Sequence, residues 1–223
     1  AAMINPQTKA FLFDLNGTMI NDMAFHNQAW HDILTADLGA KISFEAVKKE
    51  MYGKNQDLLE RVFGVGHSTQ DQIDQISIEK ERRYQAAYKK HLSLIPGLAA
   101  FLEKAKHAGI LMAIGSAAIP FNINFVLDNL SIRSYFSAIV SAEDVKNSKP
   151  DPETFSQGAD ILAVKPEECI VFEDAPKGVE AALNAGMRCV VLTTMHTKQE
   201  FNHPNIITFI EDYNDPALDK LFE

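Results

Sequence analysis

Residues 10–13, Ala-Phe-Leu-Phe, are apolar without a break and stop at Asp14, with a glycine turn at Gly17 behind it. A short unbroken apolar run that ends at a turn signal predicts a strand buried on both faces, as in a parallel sheet. The same pattern recurs at 110–114, 138–140, 169–172, 189–192 and 206–210. Between these runs lie segments with helical spacing. Residues 98–107 stop at Gly109, 121–129 follow Pro120, 152–163 open on Pro152, and 178–185 close on Gly186. Strands alternating with helices in this way predict a parallel sheet covered by helices on both sides.

The interval 22–91 breaks the alternation. Met23, Trp30, Ile33 and Leu34 fall on one helical face, as do Leu58, Leu59, Val62 and Phe63. Ile73, Ile76, Ile78 and Tyr84 mark a longer, highly charged helix that runs to about Lys90. Gly39, Gly53, Gly64 and Gly66 punctuate these helices, and no strand pattern or internal repeat is present. The reading is an α/β protein: a Rossmann-like parallel-sheet core from 1–20 and 94–223, and an all-helical cap from 21–93 inserted after the first strand. The crossings near Ile20 and near Leu94-Ile95 are the expected hinges.

The 223 residues, 46% of them hydrophobic, suffice for a substantial core. A net charge of -9 with no basic run argues against a nucleic-acid partner. It does not exclude anionic substrates, because a metal and a few placed lysines reverse the sign locally. No apolar segment approaches the ~20 residues that span a bilayer. Cys169 and Cys189 sit in strand-like runs and read as buried free thiols. No signal peptide is evident before Met3, and Ala1-Ala2 ahead of it reads as an expression remnant. The cytoplasm is the expected compartment, and a monomer or weak dimer the expected state.

Four sets of polar residues fall at or just beyond predicted strand ends: Asp14 with Asn16, Ser116, Lys149, and Glu173-Asp174. Parallel topology brings these ends to one edge of the sheet, where ligands bind. Any one of them alone reads as a turn, a helix cap or a loop lysine; together they describe a site. Three carboxylates in one small volume repel unless a hard cation lies between them, and oxygen donors of this kind suit Mg²⁺. Lys149 adds a point positive charge and Ser116 a donor, which together fit a phosphoryl group.

Asp14-Leu15-Asn16-Gly17-Thr18, a strand ending at Ser116, Ser148-Lys149-Pro150-Asp151-Pro152, and the run from Phe172 through Glu173-Asp174-Ala175-Pro176 to Ala182 occur in that order. The set resembles the haloacid dehalogenase superfamily, and within it the β-phosphoglucomutase-like phosphatases with a helical cap. The likeness extends from Phe11 to about Leu192. It implies a Mg²⁺-dependent phosphohydrolase acting on a small phosphorylated metabolite. Asp14 matches the nucleophile that becomes an aspartyl phosphate. Asp174 matches the metal-binding acid, with Glu173 as a further ligand or a support beside it. Asp14 and the Asn16 carbonyl complete the protein ligands. Ser116, Ala117 and Lys149 surround the transferring phosphoryl group, and His26 and Lys54 reach it from the cap. His26 taken alone reads equally as a packing histidine.

Position 16 departs from the family pattern, which places there a second aspartate as general acid and base. An amide neither gives nor takes that proton. The Asn is either engineered, or natural in a slow enzyme or phospho-ligand binder, or an amide that deamidates ahead of Gly17. Hydrolysis of sugar phosphates and mutase chemistry are weakened, while activated leaving groups such as acyl phosphates or pyrophosphate are retained. Gln56 stands about where a mutase has an arginine for its second phosphate. Lys80 matches a substrate-facing lysine, but its charged helix reads as a solvated face. Arg82 and Arg83 are expected to face solvent as well.

Overall fold

The computed structural model describes residues 7–223; Ala1-Ala2 and Met3 lie outside them. The chain runs β1 (Ala10–Phe13), α1 (Met23–Asp32), α2 (Phe44–Lys49), α3 (Asn55–Phe63), α4 (Gln70–Tyr88), α5 (Leu98–His107), β2 (Leu111–Gly115), α6 (Pro120–Leu130), β3 (Ala138–Val140), α7 (Glu153–Leu162), β4 (Cys169–Glu173), α8 (Pro176–Asn184), β5 (Arg188–Leu192) and β6 (Ile206–Ile210). The six strands form one sheet in the order β3-β2-β1-β4-β5-β6, with every neighbouring pair parallel. All six expected strands are therefore present. The second starts one residue later than its apolar run, and the fourth extends to include Glu173.

Period-two alternation explains why these strands read as unbroken apolar runs. Phe11 and Phe13 of β1, Ile170 and Phe172 of β4, and Val190 and Leu192 of β5 face α5 and α6. Ala10 and Leu12, Cys169 and Val171, and Cys189 and Val191 face α7 and α8 on the other side. Both cysteines are buried and unpaired. An aromatic stack, Phe13 on Phe172 at 4.6 Å between centroids, joins the two central strands.

The order of connections places a switch point between β1 and β4. From β1 the chain moves outward to β2 and β3, then crosses to β4 and continues to β5 and β6 on the other side. The crevice at the carboxyl ends of β1 and β4 is where such sheets bind ligands.

The helical block between β1 and β2 has its own core of Trp30, Ile33, Leu34, Val47, Leu58, Leu59 and Ile73. Helix α1 continues into a π-helical turn at Ile33–Asp37, so the face read from Met23 to Leu34 changes pitch before its end. The chain enters and leaves the block side by side: Ile20 bridges Leu94, and the Ile95 amide donates to the Met19 carbonyl at 2.9 Å. The block is not sealed off from the sheet core, since Ala29, Tyr84 and Tyr88 belong to the same cluster as Phe13 and Ile114. Among the described residues no helix is long and apolar enough to cross a membrane.

Phe172 is fully buried in the middle of the sheet and touches Phe11, Phe13, Phe101 and Tyr213. Phe172→Ala is expected to destabilise the fold by about 3–5 kcal/mol, read as a fall in the urea midpoint with the slope unchanged.

Candidate active site

Asp14 stands one residue beyond β1, and its amide donates to the Phe172 carbonyl at 3.0 Å, so β4 fixes where its side chain emerges. Glu173 closes β4 and Asp174 follows it. Oxygens of Asp14, Glu173 and Asp174 lie within 4.8 Å of one another. Two glycines make room for them. A Cβ on Gly178 would lie 1.9 Å from the Glu173 carboxyl carbon. A Cβ on Gly17 would lie 2.2 Å from an Asp174 oxygen, and Gly17 also has a φ of +78°, which side-chain-bearing residues rarely adopt.

Lys149 closes the arrangement from the β3–α7 connection. Its Nζ donates to Glu173 Oε2 at 2.7 Å, to Asp14 Oδ1 at 3.0 Å and to the Gly115 carbonyl at 3.1 Å. Burial disfavours the ammonium, but the charges of Asp14 and Glu173 outweigh that penalty and hold Lys149 above the ordinary lysine value. The other oxygen of Glu173 accepts from the Asp174 amide at 3.0 Å and the Ala175 amide at 3.4 Å. Glu173 is thus mainly occupied with Lys149 and the backbone. Asp174 accepts from Thr18 Oγ1 at 3.1 Å. Burial first, then the Asp14 charge, push the Glu173 carboxyl up to about 7 against the pull of Lys149. Burial, Asp14 and Glu173 together push Asp174 well above the usual carboxylate range. One positive side chain does not neutralise three carboxylates. The donor set is all oxygen and cradled by glycines, and it fits a hard divalent cation.

Ser116 and Ala117 lie just beyond β2 and line the same pocket. Ser116 Oγ accepts from the Ala118 amide at 3.0 Å, which leaves its hydroxyl proton for another acceptor. From the helical block, His26, Trp30, Lys54, Asn55, Lys80 and Glu81 form the opposite wall. Lys54 Nζ reaches across to the Val145 carbonyl, and Ser148 Oγ donates to Asp57 at 2.8 Å. These two bonds clasp α3 to the loop that carries Lys149. The structure therefore brings together every residue that the sequence reading nominated: Asp14, Asn16, His26, Lys54, Ser116, Ala117, Lys149, Glu173 and Asp174. Gln56 is not among the lining residues and pairs instead with Glu60 and Gln70.

Lys80 requires a correction. The expected solvated face is wrong for this side chain, which is buried and donates to His26 Nδ1 at 2.6 Å and Glu81 Oε1 at 2.7 Å. Ile73, Ser77, Lys80, Glu81, Tyr84 and Tyr88 form the buried stripe of α4 at helical spacing, half of it polar because it faces a pocket. Arg82 is exposed, and Arg83 is half-exposed and paired with Asp37. His26 is buried between Asp22 and Lys80 and stacks on Tyr84 with centroids 3.7 Å apart. Asp22 was not singled out in the sequence, although it stands four residues before His26 and so one helical turn away.

Residues 11–192 match the sequence profile of the haloacid dehalogenase-like hydrolase family. The chain is 30% identical over 180 residues to the fructose-1-phosphate phosphatase YqaB of Escherichia coli K12, covering 80% of this chain and 93% of that protein. It is 30% identical over 203 residues to hexitol phosphatase A of the same organism, covering 89% of each. The solved β-phosphoglucomutase of Clostridium difficile superposes with a TM-score of 0.80 at 26% identity, covering 96% of this chain and 97% of that one.

The raised carboxyls make a pH-dependent prediction. Because Glu173 shifts up from 4.5 to about 7, its contribution to stability is complete below 4.5 and is lost as pH rises through about 7. A divalent cation bound there would replace the proton, so any stabilisation by Mg²⁺ is expected to grow across that same window. At a concentration about a hundred times Kd it is expected to raise Tm by roughly 5–10 °C. Thermal melts with and without Mg²⁺ along a pH series check this.

Proposed function

The chain belongs to the haloacid dehalogenase-like hydrolase family, and from that premise we propose that it is a Mg²⁺-dependent phosphatase of small phosphorylated metabolites, working through Asp14. The observation that carries the proposal is the convergence of Asp14, Lys149 and Asp174 at the β1–β4 switch point, with Asp14 and Lys149 3.0 Å apart. The phosphatase activities in the names of the two Escherichia coli relatives support the substrate class.

In this reading the partly exposed Asp14 carboxylate attacks phosphorus, and the bond from phosphorus to the leaving oxygen breaks with its electron pair on that oxygen. Lys149, held cationic by Asp14 and Glu173, keeps the nucleophile oriented and offsets charge on the equatorial oxygens. The Ser116 hydroxyl offers its free proton to the same phosphoryl group. Asp14, Asp174 and the Asn16 backbone carbonyl would hold Mg²⁺, with Glu173 anchoring Lys149 beside them. When bound, the ion supplies further charge neutralisation on the phosphoryl oxygens. The helical block acts as a cap: its wall of His26, Lys54 and Lys80 covers the site, and the paired crossings at 19–20 and 94–95 serve as its hinges.

Asn16 sets the leaving-group preference. With no carboxyl at position 16 to protonate the departing oxygen, groups that leave as stable anions are favoured, and basic alkoxides are slowed by ~10²–10⁴. A mutase reading draws on the β-phosphoglucomutase likeness but lacks a cation for a second phosphate at Gln56, which faces Glu60 and Gln70.

Asp14→Asn is expected to lower turnover of any accepted substrate by at least ~10³-fold with Tm within a few degrees of the parent. Along a series from acyl and aryl to alkyl phosphates, kcat/KM is expected to fall steeply as the leaving group becomes more basic. A flat series would overturn the role given to Asn16. Tight binding of phosphorylated ligands without turnover of any would overturn the phosphatase in favour of a binding protein.

A further inference from the structure

Asp22 is completely buried and receives four hydrogen bonds, all from donors. Its Oδ1 accepts from the Gly17 amide at 3.0 Å. Its Oδ2 accepts from Asn16 Nδ2 at 2.6 Å, from His26 Nε2 at 2.9 Å and from the Tyr84 hydroxyl. The tautomer of His26 follows from its other neighbour. The Lys80 ammonium has only protons to offer to Nδ1, so Nε2 carries the ring proton and donates it to Asp22. The charged and titratable groups around this point are Asp22 itself, His26 one turn along α1, and Lys80, Glu81 and Tyr84 from α4. Every bond that reaches the Asp22 carboxylate points inward, and none leaves it a proton to give.

This cage settles which way the Asn16 amide lies. With the amide reversed, its carbonyl oxygen would face a carboxylate oxygen at 2.6 Å with no proton between them. The nitrogen therefore faces Asp22. Asn16 lines the pocket, and no donor among the described residues reaches its Oδ1, so that oxygen is the atom it presents to a ligand.

We propose that Asp22 is a positioning residue that fits this site to an amide at position 16, pinning the Asn16 nitrogen and turning its carbonyl oxygen toward the phosphoryl site. There Asn16 Oδ1 accepts a hydrogen bond from the attacking water without removing its proton. The step balances without a base. The water oxygen forms the new bond to phosphorus, the Asp14 carboxylate leaves with the electron pair of the old one, and both water protons depart on the phosphate as H₂PO₄⁻. The inference rests on Asp14 being the nucleophile. It also means that the amide belongs to the architecture, since a carboxylate at position 16 would meet Asp22 head-on.

The test is an exchange of the two side chains. Asn16→Asp alone sets two carboxylates against each other, and Asp22→Asn alone turns an amide nitrogen toward groups that also donate. In Asn16→Asp/Asp22→Asn the bond between the two positions is restored with its direction reversed and the Tyr84 hydroxyl rotates to accept, while the His26 Nε2 proton, held there by Lys80, is left facing the new amide. Each single variant is expected to lose Tm and the exchange to recover part of it beyond the sum of the two single effects. On an alkyl phosphate, the exchanged chain is expected to exceed Asn16→Asp by about tenfold or more in kcat with KM little changed. Additive effects on both Tm and kcat would overturn the pairing. Coupling in Tm with additive kcat would make Asp22 merely structural and overturn its positioning role. Coupling in Tm with no turnover by any variant or the parent would leave the pair standing as a contact and refute the proposed phosphatase, and with it the positioning role.

Discussion

Everything at the pocket depends on the balance between one buried ammonium and three carboxylates. Lys149 holds Asp14 and Glu173 together from a loop more than a hundred residues away from Asp14 in sequence. Burial pushes Glu173 and Asp174 toward the neutral form, Lys149 pulls Glu173 the other way, and the acid surplus fits a divalent cation. The sheet serves this balance. Asp14 is oriented by a backbone bond to β4, Glu173 by β4 and the first turn of α8, and the glycines at positions 17 and 178 clear the space the carboxylates occupy.

The helical block answers the acidic floor with a second buried polar system. His26, Lys80, Glu81, Tyr84 and Asp22 form a hydrogen-bonded chain, packed among the aromatic faces of Trp30 and Tyr84. Buried networks of this kind rigidify when fully satisfied. The two systems meet at Asn16, whose backbone belongs to the floor and whose side chain belongs to the chain above it. On the proposed reading, chemistry and cap position are therefore joined through a single residue. The clasp from Lys54 to Val145 and from Ser148 to Asp57 closes the same pocket from α3.

The amide at position 16 reads differently once Asp22 is in view. In the sequence it is a missing acid, open to an engineered, a natural or a deamidating explanation. In the fold it has a partner whose geometry demands a donor. Gln56 gains definition in the same way, since its bonds to Glu60 and Gln70 turn it from the pocket.

The sequence by itself determined the strands, their order of appearance and the residues at their carboxyl ends. Apolar runs buried on both faces leave a local signature, and parallel connections carry their ends to one edge whatever the details of packing. It also determined the helical interruption between β1 and β2. Tertiary structure alone decided the polar wall. Lys80 sits on a helix whose composition is charged all round, and only packing against α1 selects which charges are buried. Asp22 was not singled out in the sequence, and its partners include Tyr84, distant along the chain, and the His26 ring that stacks on Tyr84. Hydrogen-bond partners far apart along the chain have no periodicity to betray them, and their pairing exists only when the elements that carry them are packed.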